Sequence, residues 1–373
     1  MALLTKSQQV EHYLRHAIAG GRWAVGDALP SERELLAEFG ISRTTLRDAL
    51  GRLANEGIIT RKSGSGTHVA DVPKANSVAI VCTSQSLSSP LGHFYRRLAE
   101  AARNEIEQAG RRAVLMVGQG DTTEDFFSSI NLFDAPVARD MIGALCLTTR
   151  GEYAEAMFSE AGMNVVSMGM GVPASKYGIV LDYAQMMRLA KEALHVYGHD
   201  DFVLMVREFY KHEEELPRVK KVKSLQLEAV GGRQERIIHV KPSLTYADAY
   251  RAFKEWWATP DHPNAIFFDD DGLCDVASRV ILELGIKVPE QLAIITDLNV
   301  GRTIDFPVPL TGVGWDPAVL MREAWSMLNS LICGITIEHP VLYIPPVIIE
   351  GRSLGEPDND HMLPQSKASA TIV

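Results

Sequence analysis

The sequence predicts an α/β protein in two parts: a small helix-turn-helix head and a larger body of two Rossmann-like lobes. Three observations carry that prediction. The first 70 residues hold three short helical patterns and then two strand patterns joined by a glycine-rich turn. From residue 77 onward, short apolar strands alternate with amphipathic helices, the pattern of βαβ units and parallel sheets. Charge divides at the same place: residues 1–75 carry 10 basic and 8 acidic side chains, and the rest of the chain carries 27 and 39.

The chain has 373 residues, enough for two or three domains. Apolar residues make up 46% and charged residues 23%, a globular composition. The net charge of −10 argues against a protein that coats nucleic acid along its whole length, but leaves room for one basic module. Cys82, Cys146, Cys274 and Cys333 form no C-x-x-C pair and sit in or beside apolar runs. They read as reduced thiols of a cytosolic protein, not as disulfides or a zinc site. The first residues turn polar at once, so no signal peptide is expected. No apolar run approaches the ~20 residues of a membrane helix. A cytoplasmic location without a membrane partner is therefore expected.

In the head, Val10, Tyr13, Leu14, Ala17 and Ile18 recur at helical spacing over residues 6–19, and Gly20-Gly21 stops the helix. Ser31 followed three residues later by Glu34 is a capping box that opens a second helix with Leu35, Leu36 and Phe39 on its apolar face. Gly40 ends it. Ser42 is the expected N-cap of a third helix, whose Leu46, Leu50 and Leu53 point inward while Arg43, Thr44, Thr45 and Arg47 occupy its first turns. Two short helices joined by a tight glycine turn make a helix-turn-helix. Residues 58–61 and 67–70 read as strands joined by Ser63-Gly64-Ser65-Gly66, which makes the hairpin a wing. That hairpin is not a phosphate loop: no Lys-Ser/Thr follows it, and it lies between strands rather than before a helix.

The segments Leu29-Pro30-Ser31-Glu32-Arg33-Glu34-Leu35, Ser42-Arg43-Thr44-Thr45-Leu46-Arg47, Glu56-Gly57-Ile58-Ile59 and Gly64-Ser65-Gly66-Thr67-His68-Val69 resemble the GntR-family winged helix over about residues 5–70. The resemblance implies a recognition helix in the major groove and a wing tip at the minor groove. It assigns DNA contacts to Arg33, Arg43, Thr44 and Arg47, with Ser65 and Gly66 in the wing. The chemistry agrees. An arginine can pair bidentately with guanine for ~1–3 kcal/mol of discrimination. Thr44, Thr45 and the helix's first N–H groups suit phosphate oxygens. Read alone, Arg43 and Arg47 are ordinary solvated helix charges; the capping box, turn and wing in register make them an interface. The modest positive charge predicts weak binding by one head, hence a homodimer on palindromic double-stranded DNA.

Pro73 and its polar neighbours mark a linker at 71–76 between a head at 1–70 and a body at 77–353. The polar, aperiodic segment 354–373 reads as a disordered tail. Strands are expected at 77–83, 112–117, 143–148, 164–168, 179–181, 201–206, 236–240, 265–268 and 292–296, and helices at 94–109, 185–196, 246–259 and 274–284. So many strands exceed one sheet, and two Rossmann-like lobes with a cleft between them are the economical solution. Residues 208–222 stand out as a charged, insertion-like segment.

The body is similar to the LacI/GalR regulatory domain, which shares the periplasmic-binding-protein fold. The resemblance rests on 77–83 with Phe94-Tyr95, on Val180-Leu181-Asp182, and on Tyr197-Gly198-His199. It is strongest from Asn264 through Phe268-Asp269-Asp270-Asp271 to Leu284-Gly285-Ile286, and at Pro309-Leu310-Thr311-Gly312-Val313. It departs at Gly92-His93 and at Thr296-Asp297-Leu298-Asn299, and the hinge helix that follows a LacI head is missing. Ligands in such sheets bind at strand C-termini, which makes His93, Phe94, Tyr95, Asp182, Asp271 and Trp315 candidates. Arg218 falls near a position where the family often has a contacting arginine. Carboxylates can accept two hydroxyl hydrogens each, and Trp315 can stack on a sugar ring. Plainer readings stay open: Asp182 and Asp271 as helix caps, Trp315 as core, Arg218 as a surface charge. Asp269–Asp271 lacks a second acidic cluster nearby in sequence and is a weak metal candidate. His195 and His199 have chelating spacing, but Gly198 ends the helix between them, so a structural role is favoured.

The expectation is a ligand-responsive transcriptional regulator, a repressor, with a sugar-like small molecule in the cleft and no cofactor. A constitutive DNA-binding protein whose body only dimerises is the rival, as is an enzyme with a DNA-binding head. The sequence holds no G-x-S-x-G elbow, P-loop or nucleophile–base pair for the latter.

Overall fold

Helix α1 (Lys6–Ala19) opens on a capping box in which the Thr5 side chain accepts from the Gln8 N–H and Gln8 reciprocates. Helix α2 (Glu32–Phe39) opens on the Ser31–Glu34 box and closes at Gly40, whose φ of 59° is the left-handed conformation glycine adopts without strain. Helix α3 (Arg43–Asn55) follows, then a two-stranded antiparallel wing of β1 (Ile59–Lys62) and β2 (Gly66–Val69). Val10, Leu14, Leu35, Leu46, Leu50, Leu53, Ile59 and Val69 close into one core. The computed structural model describes residues 5–372 except 56, 63–65, 71–75, 89–92, 121–124, 127–128, 131–139, 148–155, 159–162, 210–216, 242–246 and 357–370. Ser65, Gly92 and most of the expected linker lie outside the described residues.

The body holds two largely parallel sheets. The first has the order β15-β13-β7-β6-β5-β3-β4. Its chain-order members are β3 (Ser77–Thr83), β4 (Arg112–Gly118), β5 (Met141–Cys146), β6 (Asn164–Met170) and β7 (Gly178–Leu181), joined later by β13 (Val341–Ile344) and β15 (Thr371–Ile372). The second has the order β14-β12-β11-β10-β8-β9. It contains β8 (Val203–Arg207), β9 (Ile237–Val240), β10 (Ala265–Phe268), β11 (Ala293–Asp297), β12 (Thr311–Gly314) and β14 (Val347–Ile349). The inner strands are buried on both faces, which is why they read as continuous apolar runs.

Helices cover the sheets: a short α4 (Ser84–Ser88), α5 (His93–Gln108), α6 (Tyr183–Val196), α7 (Pro217–Ala229), α8 (Ala247–Trp257), α9 (Asp271–Leu284) and α10 (Pro317–Ile332). The chain passes between lobes after β7, after β12, after β13 and again between β14 and β15. Trp315 sits on the second passage and is 3% exposed. Its indole Nε1 donates to the Ile344 carbonyl on the third, at 2.8 Å.

Two expectations need correction. The charged segment 208–222 is not simply an insertion: from Pro217 it is helical, and Val219, Val222 and Leu225 are buried. Its apolar stripe is hidden among lysines in the sequence. The tail expectation fails at both ends. Leu354 is 2% exposed, and Thr371–Ile372 pair with Tyr343 and Leu342 of β13. Two residues suffice there because an existing strand edge supplies the partner. Strands β12 to β14 were not anticipated; each is only three or four residues long.

Candidate functional site

The head presents one polar face. The Ser42 hydroxyl accepts from the Thr45 N–H at 3.1 Å and meets the Thr45 hydroxyl at 2.7 Å, which caps α3. The positions facing α1 and α2 are buried, so the first turns expose Arg43, Thr44 and Arg47 on the opposite face. Arg33 is exposed on α2. The structure therefore brings Arg33, Arg43, Thr44 and Arg47 onto the solvent side of the helix-turn-helix. Thr45 departs from the expected outward contact: it is half-buried, and its hydroxyl is taken up by the cap. Gly66 begins β2 with φ 94°, a conformation that favours glycine at the hairpin. Ion pairs set the parts against each other. Arg61 of the wing meets Glu32 of α2 at 2.6 Å, and Arg52 of α3 meets Glu11 of α1 and the Ser7 hydroxyl. Arg61 and Arg52 were not singled out by the sequence reading, because a lone arginine on a short strand or helix carries no pattern.

A second face of α1 meets the body. Tyr13, His16, Ala17 and Gly20 line a cavity of about 230 Å³ together with Ile142, Asn164 and Ile332. The Nε2 of His16 is buried there without a hydrogen-bond partner. Burial, then His12 and Arg15, hold its pKa down at about 3. The His12 ring stacks on it with centroids 6.0 Å apart.

In the body, the C-terminal edge of the second sheet carries a cluster of acids. Asp269 follows β10, and its Oδ2 accepts from the Tyr183 hydroxyl and the Gln226 amide, each at 2.7 Å. Burial pushes Asp269 up to about 7, against the pull of the Tyr183 hydrogen bond. Asp271 opens α9 and meets Arg302 Nε at 3.0 Å; burial and then Asp270 push it up to about 6. Asp270 faces Arg207 at 3.3 Å. Asp297 ends β11, held well above the usual carboxylate range by burial and by Asp271, Asp270 and Asp269.

The first lobe faces this edge with the start of α5. His93 is exposed; partial desolvation, then Arg302 and Arg96, lower its pKa. The Arg97 guanidinium lies against Gly301 of the second lobe, where an added Cβ would stand 2.2 Å from Nη1. Only glycine admits that approach. Phe94 and Tyr95 are half-buried against the body core, edge to face.

The expected ligand residues thus divide. Asp271 pairs with Arg302, and the Arg302 charge also acts on His93. Asp182 is the N-cap of α6, accepting from the Gln185 N–H at 3.0 Å. Trp315 is core at the passage between lobes, and Arg218 is half-buried on α7. Tyr183, Gln226, Arg97 and Arg302 escaped the sequence reading, and Asp269 and Asp297 were noted only as a metal candidate and as a departure. A carboxylate just past each of two buried strands was the available signal. Among the described residues no group of three or more His, Cys, Asp and Glu is arranged to hold a metal ion, and no helix is long and apolar enough to cross a membrane.

Fold and site together define a class: a winged helix carrying an exposed basic face, joined to a two-lobed body hinged around a polar cleft. Residues 6–69 match the family described as bacterial regulatory proteins, gntR family, and residues 192–354 match the periplasmic binding protein-like domain. The histidine utilization repressor of Klebsiella aerogenes is 43% identical over 106 residues, 27% of this chain and 44% of that protein. The first curated relatives are matched over less than half of their own length. A LacI family transcriptional regulator from Bifidobacterium animalis subsp. lactis shares the fold with a TM-score of 0.61 at 18% identity, over 75% of this chain and 97% of that one. The transcriptional regulator CelR, solved as its cellobiose complex, shares it with a TM-score of 0.59 at 22% identity, over 84% and 91%. These relatives and folds are those of regulators, not enzymes.

Proposed function

We propose that the chain is a cytoplasmic, ligand-responsive transcriptional repressor that binds a palindromic operator as a homodimer. Its effector is a sugar-like small molecule in the inter-lobe cleft. The observation that carries this reading is the joining of the exposed face of Arg33, Arg43, Thr44 and Arg47 to a two-lobed body whose second sheet ends in the acids Asp269, Asp270, Asp271 and Asp297, with Arg302 paired to Asp271. The repressor name of the Klebsiella relative and the cellobiose in the CelR neighbour support the sign of regulation and the effector class.

The ligand acts only through its differential affinity for open and closed lobes. Closure alters the dimer and so the spacing of two heads, each too weakly charged to bind tightly alone. α1, which shares a cavity with Ile142 of β5, Asn164 of β6 and Ile332 of α10, is the head's point of attachment to that motion.

The test is operator selection with the full-length protein, then fluorescence anisotropy across a panel of sugars, polyols and sugar acids. Operator affinity is expected to fall steeply with salt and to drop about 10-fold or more in Arg43→Ala and Arg47→Ala. At least one panel member is expected to release the operator. DNA binding that no small molecule changes would favour a body that only dimerises.

A further inference from the structure

The central strands of the second sheet end in side-by-side carboxylates. The ladder pairs Phe268 with Thr296, so Asp269 and Asp297 are the next opposed positions. Phe267 and Ile295 face one core, and Ile266, Phe268 and Ile294 face the other. Side chains alternate along a strand, so Asp269 and Asp297 share the Phe267–Ile295 face on strands about 4.8 Å apart.

Their partners differ from those of the neighbouring acids. Asp270 and Asp271 each have an arginine, Arg207 and Arg302. The Oδ2 of Asp269 accepts from neutral donors, Tyr183 and Gln226, while the guanidinium of Arg207 lies on Asp270. The Oδ1 of Asp297 is buried with no hydrogen-bond partner. An acceptor orphaned out of water is unfavourable, and more so when charged. Two adjacent carboxyls out of water cannot both ionise unless a positive group joins them. Both residues are half-buried as a whole, although Asp297 Oδ1 itself is enclosed.

We infer that the effector presents a cationic nitrogen, an alkylammonium group, that seats between the carboxylates of Asp269 and Asp297. The inference rests on the reading of the inter-lobe cleft as the effector site. An ammonium has three donors and no acceptor. It supplies Asp297 Oδ1 with its missing donor and also reaches Asp269, whose orientation Tyr183 and Gln226 fix. A neutral sugar hydroxyl can donate to one carboxylate but leaves the repulsion between the two.

The test uses matched probes that differ only in charge: glucamine against glucitol, and 1,4-diaminobutane against 1,4-butanediol. Thermal stabilisation of the full-length protein is followed at pH 8, where alkylamines remain protonated. Each amine is expected to stabilise at concentrations at least 10-fold lower than its neutral twin. Asp297→Asn and Asp269→Asn are each expected to erase the gap; the two are independent, so misfolding of one leaves the other to decide. Equal responses to amine and twin overturn the cationic class while leaving the cleft reading in place. An amine preference that survives both substitutions overturns this seat. No response to any of the four overturns the cationic class and leaves operator release by the wider sugar panel to decide the cleft reading.

Discussion

Asp269 shows what one side chain contributes. Its folded-state pKa of about 7 lies above the usual carboxylate value of 3.8 because burial penalises the charge. Between those values the folded protein holds a proton that the unfolded chain has released. The stability this group contributes is therefore complete below about pH 4 and lost as pH rises to about 7. Asp269→Asn keeps an oxygen that can accept from Tyr183 and Gln226 and removes the ionisation. Relative to the wild type, the variant is expected to gain stability progressively from pH 4 to 7 and to hold a constant advantage above that. Chemical denaturation at a series of pH values measures it, and parallel curves would remove Asp269 as a titrating group.

At the scale of an element, α3 depends on its first turn. Four N–H groups at a helix start lack intrahelical partners, and Ser42 supplies one of the replacements through Thr45. The same turn carries Arg43, Thr44 and Arg47, so the cap also fixes the angle at which they leave the head. Ser42→Ala is expected to cost about 1 kcal/mol of head stability. It should also weaken operator binding without altering which bases are preferred, because the arginines remain. Denaturation and anisotropy on the same preparation separate the two effects. A change in base preference would place Ser42 on the DNA itself.

For the whole molecule, the seam between head and body is the joint through which lobe movement reaches DNA. His16 is neutral there, with a folded pKa near 3 against 6.5 unfolded. The stability it contributes is present above about pH 6.5 and is lost as pH falls toward 3. His12 stacks on His16, Arg15 and Arg52 place positive charge on or beside the same helix, and Glu11 offsets part of it through Arg15 and Arg52. His16→Gln keeps a polar side chain that does not titrate. Wild type is expected to lose thermal stability relative to His16→Gln as pH falls from 7 to 5; an unchanged difference would show that the imidazole stays clear of the seam.

The sequence by itself determined the head nearly residue by residue. Helix α1 spans the expected 6–19, and the Ser31–Glu34 box and the Ser42 cap stand where they were read, because caps, glycine stops and 3.6-residue periodicity are local properties. It also determined the alternation of strands and helices in the body, since strands buried on both faces cannot hide their apolar runs. Only the tertiary structure decided what lies between distant segments. α7 was obscured because its apolar stripe is dispersed among lysines, and β12 to β15 because strands of two to four residues carry too little periodicity to read. The site followed the same division. Arg43, Thr44 and Arg47 are neighbours on one helix and were legible. Tyr183, Gln226, Asp269 and Asp297 belong to four elements, and Arg97 approaches only where Gly301 leaves room. Their meeting depends on sheet order and lobe packing, and no pattern along the chain records which strand ends become neighbours.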